Sequence, residues 1–271
     1  MGKFSEQLHK QFPHHTTSSH QPQQPQQPIT STSNYSIPTD GIAPGGRLQH
    51  FAQQWKSTTN HPWPISVMTK GYQIPLLKKP QPWKLRQIKL NCTEQLAVNE
   101  AVDKFMQAGI IEKSPTQNTD YLSNFFTIQE VTKRRPILDC QQISNYIQCH
   151  HFKMEGVPAL REIIEQNDFI CKLNLKDAYV VKPIHPSSKK NLTFQNQGIV
   201  YQYKTLAFGM SVSPRVFSKL MRFAIEPLRQ QGIRLVYYLD DICILGSTVN
   251  ETRDHTQRVM KHLEQLGFLI N

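Results

Sequence analysis

The chain has 271 residues, with 31 Lys or Arg against 20 Asp or Glu, and a formal net charge of +11 at pH 7. This charge favours a polyanionic partner, above all nucleic acid, with an ordinary basic soluble protein as the alternative. The sequence contains no run of about 18 apolar residues, which excludes a transmembrane helix of the usual length.

The amino-terminal region is rich in Gln, Pro, Ser, Thr and His and has no apolar period, so residues 1–44 are predicted to be a disordered tail. The region lacks the apolar stretch of a signal peptide. The five cysteines include no C-x-x-C pair, which is typical of reduced thiols. We therefore expect an intracellular protein of the cytoplasm or nucleus that is not secreted. Cys149-His150-His151 lacks the second ligand pair of a zinc finger, so zinc is disfavoured.

Residues 45–90 contain three tryptophans and several prolines, and are predicted to be a loop-rich leading segment. A helix follows, because Asn91 and Glu94 have the spacing of a capping box and apolar residues then recur at helical intervals. Gly109 fits the end of that helix.

Two strands, 125–128 and 136–138, are predicted on either side of the basic cluster Lys133-Arg134-Arg135. A hairpin with this cationic tip grips phosphate oxygens or is simply a solvated turn, and the residues alone leave both open. A short helix is predicted over 158–166.

From residue 170 onward the predicted order is strand, hairpin, helix, strand pair, helix and strand. This order predicts an α+β fold with a split βαβ antiparallel sheet that carries its helices on one face. The helix that starts at Ser213-Pro214 carries a basic stripe, most simply a solvated face, formed by Arg215, Lys219 and Arg222.

The tetrapeptide Tyr238-Leu239-Asp240-Asp241 lies between two apolar runs that read as strands, so the acidic pair falls at the tip of a tight hairpin. Adjacent carboxylates repel each other and are costly to desolvate together. A hard divalent cation such as Mg²⁺ gives a reason to place them there. An ordinary Asp-Asp turn is the alternative.

Several motifs in order give this chain a resemblance to a known family. They are Arg135-Pro136-Ile137-Leu138-Asp139, KLNLKDAY over 172–179, LAFGM over 206–210, the acidic tetrapeptide, and Leu266-Gly267-Phe268. Over residues 45–271 the chain resembles a reverse transcriptase (an RNA-directed DNA polymerase). Gly45-Gly46-Arg47-Leu48 and residues 152–156 are similar to retrotransposons of the DIRS type, which carry a tyrosine recombinase.

The resemblance implies a right-hand polymerase, with fingers over 91–169 and a palm over 170–271, of which 187–205 return to the fingers. It implies two Mg²⁺ ions that promote nucleotidyl transfer from a dNTP to a primer 3′-hydroxyl on an RNA or DNA template. The resemblance also implies the ribonuclease H and recombinase modules of the same element as partners. It implies no membrane partner.

The implied metal ligands are Asp240, Asp241 and the backbone carbonyl of Leu175. Tyr238 would lie near the primer end, and Arg215 would contact primer or template.

The implied nucleotide site spans the fingers turn and the strand that precedes Asp177. Lys133 and Arg135 would contact the incoming triphosphate, Asp177 and Ala178 would line the triphosphate and sugar site, and Tyr179 would crowd a ribose 2′-hydroxyl. The alternative for Tyr179 is that it is an ordinary amphipathic tyrosine of the core.

Phe208 and Gly209 would lie beside the nucleotide and template, where glycine permits close approach of the backbone.

Two features depart from the family pattern. Asn174 stands where the family has its first catalytic aspartate, so a negative charge is missing and a weaker amide oxygen replaces it. The sequence also stops at Asn271, before the thumb that the resemblance implies, and we expect weak primer-template binding without a thumb. We therefore expect an inactive or weakly active polymerase, with a nucleic-acid-binding remnant as the alternative.

Overall fold

The computed structural model describes residues 40–84, 86, 88–130, 134–148 and 152–271. Helices and strands are mixed, in agreement with the predicted α+β class. A 3-10 helix spans Arg47–Phe51, and the α-helices are α1 (Ala52–Thr58), α2 (Pro62–Lys70), α3 (Cys92–Gln107), α4 (Gln141–Ser144), α5 (Val157–Ile163), α6 (Pro186–Lys189), α7 (Ser213–Gln230) and α8 (Val249–Gln265). The strands are β1 (Trp83–Lys84), β2 (Ile111–Lys113), β3 (Tyr121–Leu122), β4 (Phe125–Gln129), β5 (Arg134–Leu138), β6 (Phe169–Lys176), β7 (Thr193–Asn196), β8 (Ile199–Tyr203), β9 (Leu235–Tyr238), β10 (Asp241–Gly246) and β11 (Leu269–Ile270).

The central sheet has four antiparallel strands in the order β11-β6-β10-β9. Helix α7 lies between β6 and β9 in the chain, and α8 lies between β10 and β11. Apolar residues recur along α7 at helical spacing, and Phe217, Leu220 and Ala224 are buried in the main core with Val259 and Leu263 of α8. These two long helices therefore cover one face of the sheet.

The prediction that the helices occupy only one face of this sheet is wrong. Alternate residues of β9 and β10 point away from the main core, and Val236, Cys243 and Leu245 form a second buried cluster with Leu160 of α5. Because both faces of these strands are apolar, both need a cover. The short helix α5 supplies the second one, and ends at Ile163 rather than at the predicted 166.

A second sheet joins distant parts of the chain in the order β2-β8-β7. The β7-β8 hairpin turns at Gln197 and Gly198, both at positive φ (48° and 79°), which is the backbone of a tight hairpin turn. Helix α3 packs nearby and begins with the predicted capping box, in which Asn91 and Glu94 exchange side-chain-to-backbone bonds of 2.9 and 2.8 Å. The predicted hairpin of β4 and β5 is also present.

The leading segment is more ordered than the sequence predicted. Its first half forms the 3-10 helix, α1 and α2, and only its second half is mainly irregular. Trp55 is fully buried, donates its indole N–H to the Leu266 carbonyl (3.0 Å) and lies against the Phe268 ring. Burial of this indole explains why a segment rich in proline and polar residues is helical, because the stabilising contacts are tertiary.

The last residues of the predicted disordered tail, 40–44, also belong to the fold. Arg47 is almost completely buried and donates to the Gly267 carbonyl (3.0 Å), to the Ile42 carbonyl (2.9 Å) and to the carboxylate of Asp40. The Arg47 hydrogen bonds lower the pKa of Asp40 to about 2. A buried guanidinium needs these acceptors, and they hold residues 40–47 on the turn that precedes β11.

The core contains a buried lysine, a residue type that is rarely fully buried. Lys182 is completely buried, donates to the Ala178 carbonyl, and has its ammonium 4.0 Å from the ring centroid of Phe217 and 5.0 Å from that of Tyr179. Burial lowers the pKa of Lys182 well below its usual value. Burial of this amine lowers the free energy of unfolding, and the packing of the rest of the core offsets the loss.

Three sequence expectations fall outside the described residues, namely the disordered tail over residues 1–39, the Cys149-His150-His151 zinc alternative, and Lys133 at the predicted basic turn. No helix in the described ranges combines the length and apolarity needed to cross a bilayer.

We expect Trp55→Ala to lower the free energy of unfolding by about 3–5 kcal/mol, because it empties a large buried site. Trp55→Phe should cost less, about 1–3 kcal/mol, mainly for the lost indole hydrogen bond. Urea unfolding measures both, with Leu96→Ala on the exposed side of α3 as a control that changes stability by less than about 0.5 kcal/mol. If Trp55→Ala left the free energy of unfolding unchanged, the leading segment would not unfold together with the remainder of the chain.

We expect Lys182→Met to raise the free energy of unfolding at pH 7 by about 1 kcal/mol or more, because it removes the cost of a buried amine. The melting temperature should rise accordingly. The folded-state pKa of Lys182 lies below its unfolded value, so the unfolded chain binds more protons and stability rises with pH. The advantage of Lys182→Met should therefore shrink as the pH approaches about 10. Thermal unfolding across pH measures this; exposed Lys190→Met is the control, and equal effects of both variants would contradict the explanation.

Candidate functional site

The predicted acidic hairpin is present, formed by β9, the two residues Leu239 and Asp240, and β10. Asp241 pairs with Tyr238 across the hairpin. Leu239 has a φ of 54°, an unfavourable backbone for a leucine that the tight connection imposes. Asp240 is partly exposed at the tip, whereas Asp241 is 1% exposed. The two carboxylates therefore occupy different environments although they are neighbours in sequence.

The register between β10 and β6 places Asp241 opposite Asn174. The Asn174 side-chain amide donates to Asp241 Oδ1 at 2.8 Å, and Asn174 Oδ1 accepts from the side chain of Asn271 at 2.6 Å. The Leu175 N–H donates to the Asp240 carbonyl at 2.7 Å, which ties β6 to the hairpin tip. Asp240, Asp241 and Asn174 thus lie at one point of the sheet.

Lys172 also faces this point, with its ammonium 3.2 Å from Asp241 Oδ1. Residues 172 and 174 lie on the same face of β6, because side chains alternate along a strand. The same carboxylate oxygen therefore receives a cation and an amide N–H. Both interactions offset the cost of burying a charge at Asp241.

The site has fewer metal-binding side chains than two divalent ions require. Within the described residues, no group of three or more His, Cys, Asp or Glu side chains is placed to hold a metal. Asp240 and Asp241 supply two carboxylates, and the third position carries the Asn174 amide, which donates to Asp241 instead of offering a negative charge. The described residues at this point therefore offer fewer carboxylates than a site for two divalent ions needs.

A wall of aromatic and charged side chains lies beside the hairpin. The Tyr179 ring meets the Phe208 ring edge-on with centroids 4.9 Å apart, and the Arg135 guanidinium lies 5.5 Å from the Phe208 centroid. Burial and the negative charge of Asp240 raise the pKa of Tyr179 to about 12, against the opposite effect of Arg135. Tyr179, Phe208, Arg135 and Asp240 are therefore neighbours, although they come from four separate parts of the sequence.

Gly209 brings the LAFGM segment against the β4-β5 hairpin. Its φ is +99°, and a Cβ there would lie 2.8 Å from the Leu138 carbonyl oxygen. Glycine meets both requirements, since it tolerates positive φ and has no side chain. Ser213, the first residue of α7, donates to the Ala207 carbonyl at 2.9 Å and holds this segment to the helix.

The remaining predicted residues are placed less directly. Asp177 has a φ of 56°, at the turn that follows β6. Ala178 is buried, and its carbonyl accepts from Lys182. Tyr238 is partly exposed and packs against Gly156, where a Cβ would lie 3.2 Å from its ring. Arg215 lies on α7, where its charge adds to the effect of burial in lowering the pKa of Lys219.

Three residues near the site were not predicted from sequence. Lys172 could have been found from strand alternation, because it stands two residues before Asn174. Glu130 pairs with Arg135 (2.8 Å) across the β4-β5 hairpin. Asn271 reaches Asn174 only through the pairing of β11 with β6, a contact between residues far apart in sequence.

A comparison with protein families agrees with this arrangement. The family described as "Reverse transcriptase (RNA-dependent DNA polymerase)" matches residues 77–271, a range that contains the acidic hairpin, Asn174 and the wall of Tyr179 and Phe208. The leading segment before residue 77 lies outside the match. Because the match covers well over half of the chain, the chain belongs to the reverse transcriptase family and is by family an RNA-directed DNA polymerase.

Proposed function

We propose that this chain is the polymerase domain of an intracellular retroelement, and that its nucleotidyl transfer is strongly weakened at one position. The observation that carries the proposal is the 2.8 Å hydrogen bond from the Asn174 amide to Asp241 Oδ1. A carboxylate at position 174 would add negative charge for a metal, whereas the amide neutralises part of what Asp241 offers. The domain would bind its substrates and turn them over slowly.

The fold supports the polymerase assignment. The sheet order β11-β6-β10-β9 with two helical connections is that of a split βαβ unit, and it fits the palm of a right-hand polymerase. The β4-β5 hairpin and the β2-β8-β7 sheet would form the fingers, and residues 187–205, which include β7 and β8, would return to them. The DIRS-type assignment rests on Gly45-Gly46-Arg47-Leu48 and residues 152–156.

The partly exposed hairpin tip is the natural place for the primer end. Asp240, Asp241 and the Leu175 carbonyl would face the reacting phosphate. If Asp240, Asp241 and the Leu175 carbonyl held Mg²⁺, the ion would supply charge neutralisation at the reacting phosphate. With a third carboxylate absent, the chain's own contribution is mainly to position primer and nucleotide.

The wall beside the hairpin suits a deoxynucleotide. Arg135 carries a fixed positive charge for the triphosphate, and Tyr179 presents a half-buried ring close to Asp240. A ring held against Phe208 and Phe217 has little room to move away from a ribose 2′-hydroxyl. Tyr179 would therefore select the sugar by steric exclusion.

A nucleic-acid-binding protein without catalysis is the second candidate. The contacts of Asp241 favour it, since both the Lys172 ammonium and the Asn174 amide already contact Oδ1. The net charge of +11 supports nucleic-acid binding under either candidate.

We expect Asn174→Asp to raise Mg²⁺-dependent dTTP incorporation on a poly(rA)–oligo(dT) template by about 100-fold or more, since a metal contact contributes several kcal/mol. Adding Asp240→Ala to that variant should abolish the gain. Efficient incorporation by the natural chain, not raised by Asn174→Asp, would contradict the weakened polymerase. Retained RNA binding without incorporation by either variant would favour the non-catalytic candidate.

In the Asn174→Asp background, Tyr179→Ala should raise the use of UTP relative to dTTP by about tenfold or more, because a steric block of this kind contributes 1–3 kcal/mol. Tyr179→Phe keeps the ring and should keep the selection. The ratio of kcat/KM for the two nucleotides measures this. A ratio that Tyr179→Ala leaves unchanged would make Tyr179 an ordinary core tyrosine.

A further inference from the structure

Helices α7 and α2 share a surface on which cations and aromatic rings alternate. We call it the cationic-aromatic patch, and it consists of Arg215, Lys219, Arg222 and Phe223 from α7 with His61 and Trp63 from the start of α2. The two helices are about 150 residues apart in sequence, so the patch is a product of the fold.

One cation of the patch contacts a ring, and the three rings lie close to one another. The Lys219 ammonium lies 4.1 Å from the Trp63 ring centroid, a cation–π contact. The His61 ring lies 4.7 Å from that of Phe223, and Trp63 lies 6.3 Å from Phe223. His61 is exposed, while Trp63 and Phe223 are partly exposed. Ring surface is therefore available at the solvent boundary.

The positive charges of the patch are not balanced by carboxylates. The ion pairs among the described residues involve none of Arg215, Lys219 and Arg222. Burial lowers the pKa of Lys219, and the neighbouring charges of Arg215 and Arg222 add to the effect. Crowded like charges raise the energy of the free protein and are relieved by a bound anion.

The dimensions suit one strand of nucleic acid. Arg215 and Arg222 are seven residues apart on α7, a rise of about 10 Å, which is long enough for two or three phosphates of a strand. The amino-terminal end of α7 touches the LAFGM segment through Ser213, so the patch leads away from the nucleotide wall along the helix.

We propose that the cationic-aromatic patch binds single-stranded nucleic acid, with its cations on backbone phosphates and its exposed rings against unpaired bases. Stacking on rings together with a basic track is the physical basis of single-strand binding. A solvated basic face explains the charges, and packing against the main core explains one side of the Trp63 and Phe223 rings, but neither explains the exposed His61 ring that lies against Phe223. The binding does not depend on metal or on the acidic hairpin, so it stands or falls separately from nucleotidyl transfer.

The first test measures fluorescence anisotropy of labelled oligouridine without Mg²⁺ or nucleotide, over a series of salt concentrations. Arg215→Gln with Lys219→Gln should weaken binding by about tenfold and reduce the slope of log K against log salt by about 1.4, the share of two phosphate contacts. The control pair Arg253→Gln with Lys261→Gln changes net charge equally at exposed positions of α8 and should weaken binding less than about twofold. Equal losses for both pairs would overturn the proposal.

The second test separates bases from phosphates. His61→Asn removes the ring and keeps a side-chain acceptor for the Trp63 N–H, so α2 retains its cap. It should weaken oligouridine binding by about fivefold or more and leave inorganic polyphosphate binding unchanged. Unchanged oligouridine binding would overturn base stacking. Displacement of the RNA by polyglutamate as readily as by competing RNA would overturn nucleic acid as the occupant.

Discussion

The pairing register of β6 and β10 is the constraint on which the site depends. It places Asn174 opposite Asp241, and a shift by one residue would turn every side chain of β6 to the other face. The register is fixed by apolar side chains on both faces of the sheet, with α7 and α8 on one side and α5 on the other. The position of the acidic hairpin is therefore a consequence of core packing rather than of local contacts.

The Asn174–Asp241 hydrogen bond shows how stability and chemistry oppose each other here. Two facing carboxylates in a buried sheet repel unless a cation lies between them. Asn174 removes this repulsion and satisfies a nearly buried carboxylate, with Lys172 adding its charge. A hydrogen bond to a charged group contributes about 1.5–3 kcal/mol. Under the proposed function, Asn174 would favour the folded domain at the expense of metal binding, a common relation between stability and activity.

Local signals account for the features that the sequence predicted well. The capping box of Asn91 and Glu94, the Gln197-Gly198 turn and the strands around Asp240 each depend on residues close together in the chain. The features that were missed depend on distant residues. The segment around Trp55 is helical because Leu266 and Phe268 bury the Trp55 side chain. Leu160 covers a sheet face that the predicted topology left open. Lys182 reads as a surface residue, and only the fold places it against Phe217.

The most direct test of the central claim is the affinity for a divalent cation, measured without substrate. Electron paramagnetic resonance titration with Mn²⁺ would compare the natural chain with Asn174→Asp, with Asp240→Ala as the variant that lacks a second ligand. The account predicts that Asn174→Asp binds Mn²⁺ at least about tenfold more tightly than the natural chain, a difference of about 1.4 kcal/mol. Equal affinities in the two proteins would contradict the claim that Asn174 removes a metal ligand.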